Sequence, residues 1–195
     1  MMAGTGPQTK GETRDLTRED WLIAAVAALA DGGVEAVRVE RLAKSLGVSK
    51  GSFYWHFKDR PQLLAAILDL WDVDFTQQLI DNAAGLATPQ LRLRHLARDA
   101  LARTVYGIDS ARAEAAIQSW AATDLQVAER LRAVDTARLA YLERELAAAG
   151  QQPDKARARA KVLYLALLGL YAARGYNPEL ADDGAYLALV ELALQ

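Results

Sequence analysis

The chain contains no cysteine and only two histidines, His56 and His95. The first absence excludes a disulfide scaffold and fits a reducing compartment. Together they leave no cysteine–histidine set that would hold zinc, so no metal is expected, and no cofactor either. Glycine-rich phosphate loops and paired metal-ligand motifs are also missing, which argues against a helical enzyme. β-Branched residues are few beside alanine and leucine, a balance that points to helices. No apolar run is long enough for a membrane. The stretch VLYLALLGLYAA between Lys161 and Arg174 has twelve residues, about 18 Å as a helix, against the ~30 Å of a bilayer core. The opening MMAGTGPQTKGETRDL has no apolar segment, so no signal peptide is visible and a cytoplasmic location is expected.

What is present is a globular composition: 195 residues, 52% hydrophobic and 25% charged, enough for a sizeable core and one or two domains. The net charge is −2, yet residues 38–60 carry six basic side chains (Arg38, Arg41, Lys44, Lys50, Lys58, Arg60) against two acidic ones. A weakly acidic chain has gathered its positive charge in one segment, as phosphate binding requires.

That segment, VERLAKSLGVSKGSFYWHFKDR, reads as helix, tight turn, helix. Val39, Leu42, Ala43 and Leu46 fall at three- and four-residue spacing and give a short helix one apolar face. Gly47 can close it in a left-handed conformation. Ser49 stands at the N-cap of a second helix over Lys50–Phe57. Two short helices joined in this way can place the second in a DNA major groove.

The run LAKSLGVSKGSFYWHFKDRPQLL resembles the TetR family of transcriptional regulators: an apolar-alanine pair, Gly-Val-Ser in the turn, Tyr-x-His-Phe at the end of the recognition helix, then a basic residue. The likeness covers residues 17–70. It implies that Ala43 lets two helices cross closely, and that Tyr54, His56 and Arg60 meet DNA phosphates. It also implies that Lys50, Gly51, Ser52 and Trp55 face the groove. Arg38 departs from the family, where Thr or Ser usually caps the second helix; an arginine there can reach a phosphate instead. Lys58 adds to the basic face. Plainer readings stand beside these. Phe53 and Phe57, four apart on a short helix, belong to the core. Tyr54 and Trp55 cannot both face one core. His56 alone would be an ordinary surface histidine, but beside Tyr54 and Lys58 it reads as a phosphate contact.

The expected fold is all-α, with about nine helices: a disordered arm (1–15), a three-helix helix-turn-helix domain (16–62) and a helical effector-binding and dimerisation domain (63–195). Thr17 opens the first helix with a capping-box pattern, and Trp21, Leu22, Ala25, Val26 and Leu29 share a face up to Asp31-Gly32-Gly33. Asp59 and Pro61 open a long amphipathic helix to about Ala83. The resemblance implies that this helix links the two domains and moves as a lever. Further helices are expected over 91–106, 113–122, 125–149, 153–175 and 178–194. The resemblance implies that the last two form a homodimer interface. The aromatics Trp71, Phe75, Tyr106, Trp120, Tyr141 and Tyr164 are candidate pocket residues for a small effector, each also explicable as core. With no buried charge legible, a mostly apolar ligand is expected.

The leading function is a dimeric DNA-binding regulator, a repressor released from a palindromic operator by a small ligand. The alternative is a helical protein-interaction module with Trp55 as its hot spot.

Overall fold

The computed structural model describes residues 16–102 and 104–195, apart from the side chains of Asp74 and Phe75. The arm at 1–15, together with Arg103, lies outside the described residues. The first helix, α1 (Arg18–Gly32), begins at the anticipated capping box: the Thr17 hydroxyl accepts from the Asp20 N–H at 3.1 Å and the Asp20 carboxylate accepts from the Thr17 N–H at 2.7 Å. A 3₁₀ turn (Val34–Ala36) leads to α2 (Val39–Ser45) and α3 (Lys50–Phe53). The Phe53 ring packs edge-on to Trp21 and is stacked with Phe57, with centroids 5.3 and 5.6 Å apart. The three rings fill the centre of the helix-turn-helix core.

The long helix is not uniform. α4 (Arg60–Asp72) passes through a π-helical turn (Val73–Gln77) into α5 (Gln78–Ala84). The division turns the expected nine helices into ten among the described residues. The wide turn changes which face follows it, and it puts Thr76 in the interior at 5% exposure.

Beyond it lie α6 (Pro89–Ala102), α7 (Ser110–Ala121), α8 (Leu125–Ala148), α9 (Pro153–Tyr176) and α10 (Asp183–Ala193). Two expected boundaries need correction. The helix anticipated to Tyr106 stops at Ala102, where the Tyr171 hydroxyl and the Arg174 guanidinium take the carbonyls of Ala100 and Leu101. A small hairpin follows, β1 (Thr104–Val105) paired with β2 (Ile108–Asp109). Its two-residue turn holds Tyr106 at φ 54° and Gly107 at φ 77°, the left-handed pair a tight hairpin demands. Gly107 is therefore a hairpin residue, not a helix breaker. The last helix starts at Asp183, not Pro178, because the Asp182 carboxylate caps it through the Ala185 N–H at 3.2 Å.

Two buried clusters result. One joins α1–α4 to Ile117 and Trp120 of α7 and Val127 and Val134 of α8. The other gathers α6, α9 and α10 around Leu93, Leu146, Leu163 and Val190. The helix-turn-helix is thus built onto α7, and α4 runs from one cluster towards the other. Among the described residues no helix is long and apolar enough to cross a membrane.

Candidate nucleic-acid interface and interior cavity

The turn between α2 and α3 follows from its sequence. Gly47 sits at φ 71°, the Val48 N–H bonds back to the Ala43 carbonyl at 3.0 Å and the Gly47 N–H to the Lys44 carbonyl at 3.2 Å. This double closure needs a left-handed residue at position 47. Ala43, almost fully buried, keeps the crossing close. Ser49 has extended backbone at the start of α3, but its hydroxyl makes no capping bond. α3 is shorter than anticipated: residues 54–56 continue as turns, so Tyr54 and His56 stand just beyond its end.

The outward face carries the expected residues. Lys50, Gly51, Tyr54, Trp55 and Lys58 are exposed, and Ser52 and His56 are half-buried. Trp55 is 87% exposed and Tyr54 55%; Phe53 and Phe57 take the core. Two basic groups are less available than the sequence implies. Lys50 pairs with Glu40 of α2, an ion pair that holds the Glu40 carboxyl below and the Lys50 ammonium above its ordinary range. Arg60 reaches inward, donating from Nε to the Val37 carbonyl at 2.6 Å and from Nη2 to the Val34 carbonyl at 2.7 Å. It ties the first turn of α4 to the 3₁₀ turn before α2. Arg38 stands at the uncapped start of α2, with its Nε donating to the Glu35 carbonyl at 2.9 Å.

Inside the second cluster is a cavity of about 80 Å³. Tyr141 and Tyr164 line it, as the sequence reading anticipated. Trp71, Tyr106 and Trp120 do not. Trp120 packs in the α1–α7 core, Tyr106 is exposed on the hairpin, and the Phe75 side chain lies outside the described residues. Trp71 is buried one layer away, donating its indole N–H to a Glu114 oxygen at 2.7 Å.

The expectation of a cavity without buried charge is overturned. Glu114 of α7 and Arg138 of α8 both line it, joined through two nitrogens at 2.7 and 3.1 Å. Arg138 also donates to the Thr76 hydroxyl at 2.8 Å and to the Tyr164 hydroxyl at 3.2 Å, and Tyr164 donates to Asp135 at 2.7 Å. Its guanidinium lies 5.2 Å from the Trp71 ring centre. Such a buried pair persists because nearly every oxygen and nitrogen in it has a partner. Tyr171, Tyr186 and Ser110 complete the polar lining; the rest is mostly leucine, with alanine, valine and isoleucine. Burial pushes the phenols of Tyr164 and Tyr171 well above their ordinary range and that of Tyr186 up to about 12. All are neutral hydroxyls at physiological pH.

A family profile described as "Bacterial regulatory proteins, tetR family" matches residues 22–67, the segment spanning α1 to α4. Residues 22–67 thus carry a helix-turn-helix segment of the TetR type. Within the same region the chain is 36% identical over 63 residues to the HTH-type transcriptional regulator AcrR of Shigella flexneri, covering 32% of this chain and 29% of that protein. The match thus spans under a third of the length of that curated relative. The likeness of the fold extends further. A transcriptional regulator from Rhodococcus sp. Rha1 superposes with a TM-score of 0.75 over 92% of this chain and 94% of its own, at 23% identity. SmeT, the repressor of the Stenotrophomonas maltophilia multidrug efflux pump SmeDEF, does so with a TM-score of 0.66 over 93% and 91% at 25% identity. AcrR and the Rhodococcus protein are transcriptional regulators, and SmeT is a repressor.

Proposed function

We propose that the protein is a sequence-specific DNA-binding repressor. It acts on the chromosome, hence in the cytoplasm, binds a palindromic operator as a homodimer, and is released by a small, mostly apolar effector in the interior cavity. The observation that carries this reading is the exposed face around α3, where Lys50, Tyr54, Trp55 and Lys58 project beside the half-buried Ser52 and His56. Lysine, tyrosine and histidine there contact phosphates, while Lys50, Ser52 and Trp55 read base edges or a thymine methyl in the major groove. Arg38 adds a phosphate contact at the start of α2, and Gly51 lets the backbone come close to the duplex.

A dimer supplies the second recognition helix. On α9 the positions Ala158, Val162, Leu165, Gly169, Ala172 and Tyr176 are all exposed and recur at three- and four-residue spacing, and Ala185, Ala188 and Leu192 do the same on α10. Such a continuous apolar stripe in water is the mark of a partner surface. A two-fold four-helix contact through it would set two α3 helices about 34 Å apart for successive major grooves. Effector binding would be transmitted through the Glu114–Arg138 pair, because Trp71 of α4 and Thr76 of the π turn are bonded into it.

The test is selection of random duplexes on the purified protein, followed by a salt titration of the recovered sequence. A palindrome with half-sites one helical turn apart, and log affinity falling with log salt at about 0.9 per phosphate contact, is expected. Recovery of no motif, with binding indifferent to salt, would overturn the reading in favour of a protein-interaction module centred on Trp55.

One substitution probes the face directly. Glu40→Gln frees Lys50 and removes a negative charge beside the phosphates, so affinity for the selected duplex should rise by a factor of a few at low salt and converge with the parent at high salt. Weaker binding in an anisotropy titration would show instead that Glu40 holds Lys50 in its reading position.

A further inference from the structure

We propose that the cavity recognises an uncharged, mostly apolar molecule through an acceptor oxygen (a carbonyl, ester or ether), to which the Tyr141 and Tyr186 hydroxyls donate. The inference rests on the sensor reading above and adds the chemistry of its ligand.

Four tyrosines line the cavity, and their hydroxyls fall into two pairs. Tyr164 donates to Asp135 and accepts from Arg138, and Tyr171 donates to the Ala100 carbonyl. Both are satisfied. Tyr141 and Tyr186 come from α8 and α10, and are only 5% and 8% exposed. The Tyr141 hydroxyl is buried with no hydrogen-bond partner, and burial alone acts on the Tyr186 phenol. A buried O–H without an acceptor carries its full desolvation penalty. The unmet Tyr141 hydroxyl, with Tyr186 on the same lining, identifies what the protein leaves for an occupant to supply.

The charges around the cavity argue for a neutral occupant. The Glu114 oxygens are taken by two Arg138 nitrogens and by the Trp71 indole, and Asp135 accepts from Tyr164. Glu114 and Arg138 are each other's counter-charge, and Asp135, held by the Tyr164 hydroxyl, is not among the residues that line the cavity. A charged ligand would lose its hydration with no unpaired opposite charge to replace it. The size argues for a compact body, since a cavity of roughly 150 Å³ holds benzene and this one measures about 80 Å³.

The experiment uses the whole chain and two isosteric probes smaller than benzene, acetone and isobutene, which differ only in C=O against C=CH2. Ligand-observed NMR titration should give a roughly tenfold preference for the ketone. In the Tyr141→Phe/Tyr186→Phe double variant the preference should collapse to near unity. That variant should melt no lower than the parent, because it loses a Tyr141 hydroxyl that bonds to nothing and a Tyr186 hydroxyl on which burial alone acts. Isopropylammonium should bind more weakly than the ketone. Equal binding of the two neutral probes, a ketone preference that survives the double variant, tighter binding of the ammonium, or no binding of any probe at millimolar concentration would each overturn the proposal. Operator affinity measured with saturating ketone separates the two readings. Tyrosine-dependent ketone binding that leaves operator affinity unchanged would uphold this ligand chemistry and overturn the sensor role.

Discussion

Arg138→Met is expected to destabilise the fold by about 3–5 kcal/mol, the cost of leaving a buried carboxylate without its cation. Glu114 is 3% exposed, and after the substitution the Trp71 indole would be its remaining hydrogen-bond donor among the groups now bonded to it. The loss is large against a total stability of roughly 5–15 kcal/mol, and for a chain of this length it lowers the melting temperature by about 6–20 °C. The double variant Arg138→Met/Glu114→Gln is expected to recover most of the loss, since removing both charges leaves only ordinary polar groups to satisfy. Thermal or urea unfolding of the parent, the two singles and the double closes the cycle. Single and double variants of equal stability would show that the pair does not act as a unit. The consequence reaches beyond stability. Arg138 bonds Thr76 in the π turn and Glu114, which bonds Trp71 of α4, so one side chain fixes at two points the helix that follows the proposed DNA-reading face. Local loosening there should alter operator affinity even where the chain remains folded.

That pair also marks the boundary of what the sequence discloses. Periodicity and caps identify α1, α2 and α4, because Trp21, Ala25 and Leu29 or Val39, Leu42 and Ala43 lie one turn apart and each buries itself within its own helix face. Gly47 is legible for the same local reason: the only way to close α2 and release α3 within one turn passes through positive φ. Thr17, Asp59 and the core roles of Phe53 and Phe57 are equally local. Glu114 and Arg138 are not. They lie 24 residues apart on different helices, and each alone reads as one more charge on a solvated face. The π turn is silent too, as VDFTQ keeps an ordinary helical pattern while the backbone widens. The hairpin has two-residue strands, too short to show an alternation, so Gly107 reads as a helix stop. Arg60 shows a subtler limit. Its charge and place beside the recognition helix are readable, but the carbonyls of Val34 and Val37 that its guanidinium takes become its neighbours only once the 3₁₀ turn has folded against α4. The four cavity tyrosines divide in the same way, since Tyr171 and Tyr186 join Tyr141 and Tyr164 only when α9 and α10 close over α8.

Leu165→Glu is expected to separate the proposed homodimer and to weaken operator binding by at least about a hundredfold. Leu165 is 66% exposed in the single chain, at the middle of the α9 stripe. Within one protomer the change is a surface substitution worth about ±0.5 kcal/mol, so the monomer should fold and melt as before. In a two-fold interface the same position is present twice, and each carboxylate would be buried against an apolar partner face, with repulsion between the two copies if they meet. The loss in DNA binding follows without any change to α3. Two linked half-site contacts gain a factor of about 10²–10⁴ over one, and a monomer forfeits that gain while keeping its contacts to a single half-site. Sedimentation of the variant should give the monomer mass. Its affinity for an isolated half-site should equal that of the parent protomer, and only the full palindrome should discriminate between them. A variant that stays dimeric and binds the full operator unchanged would move the interface elsewhere and leave the exposed run from Val162 to Tyr176 without a partner. Loss of half-site affinity as well would mean that the stripe supports the fold of the protomer itself.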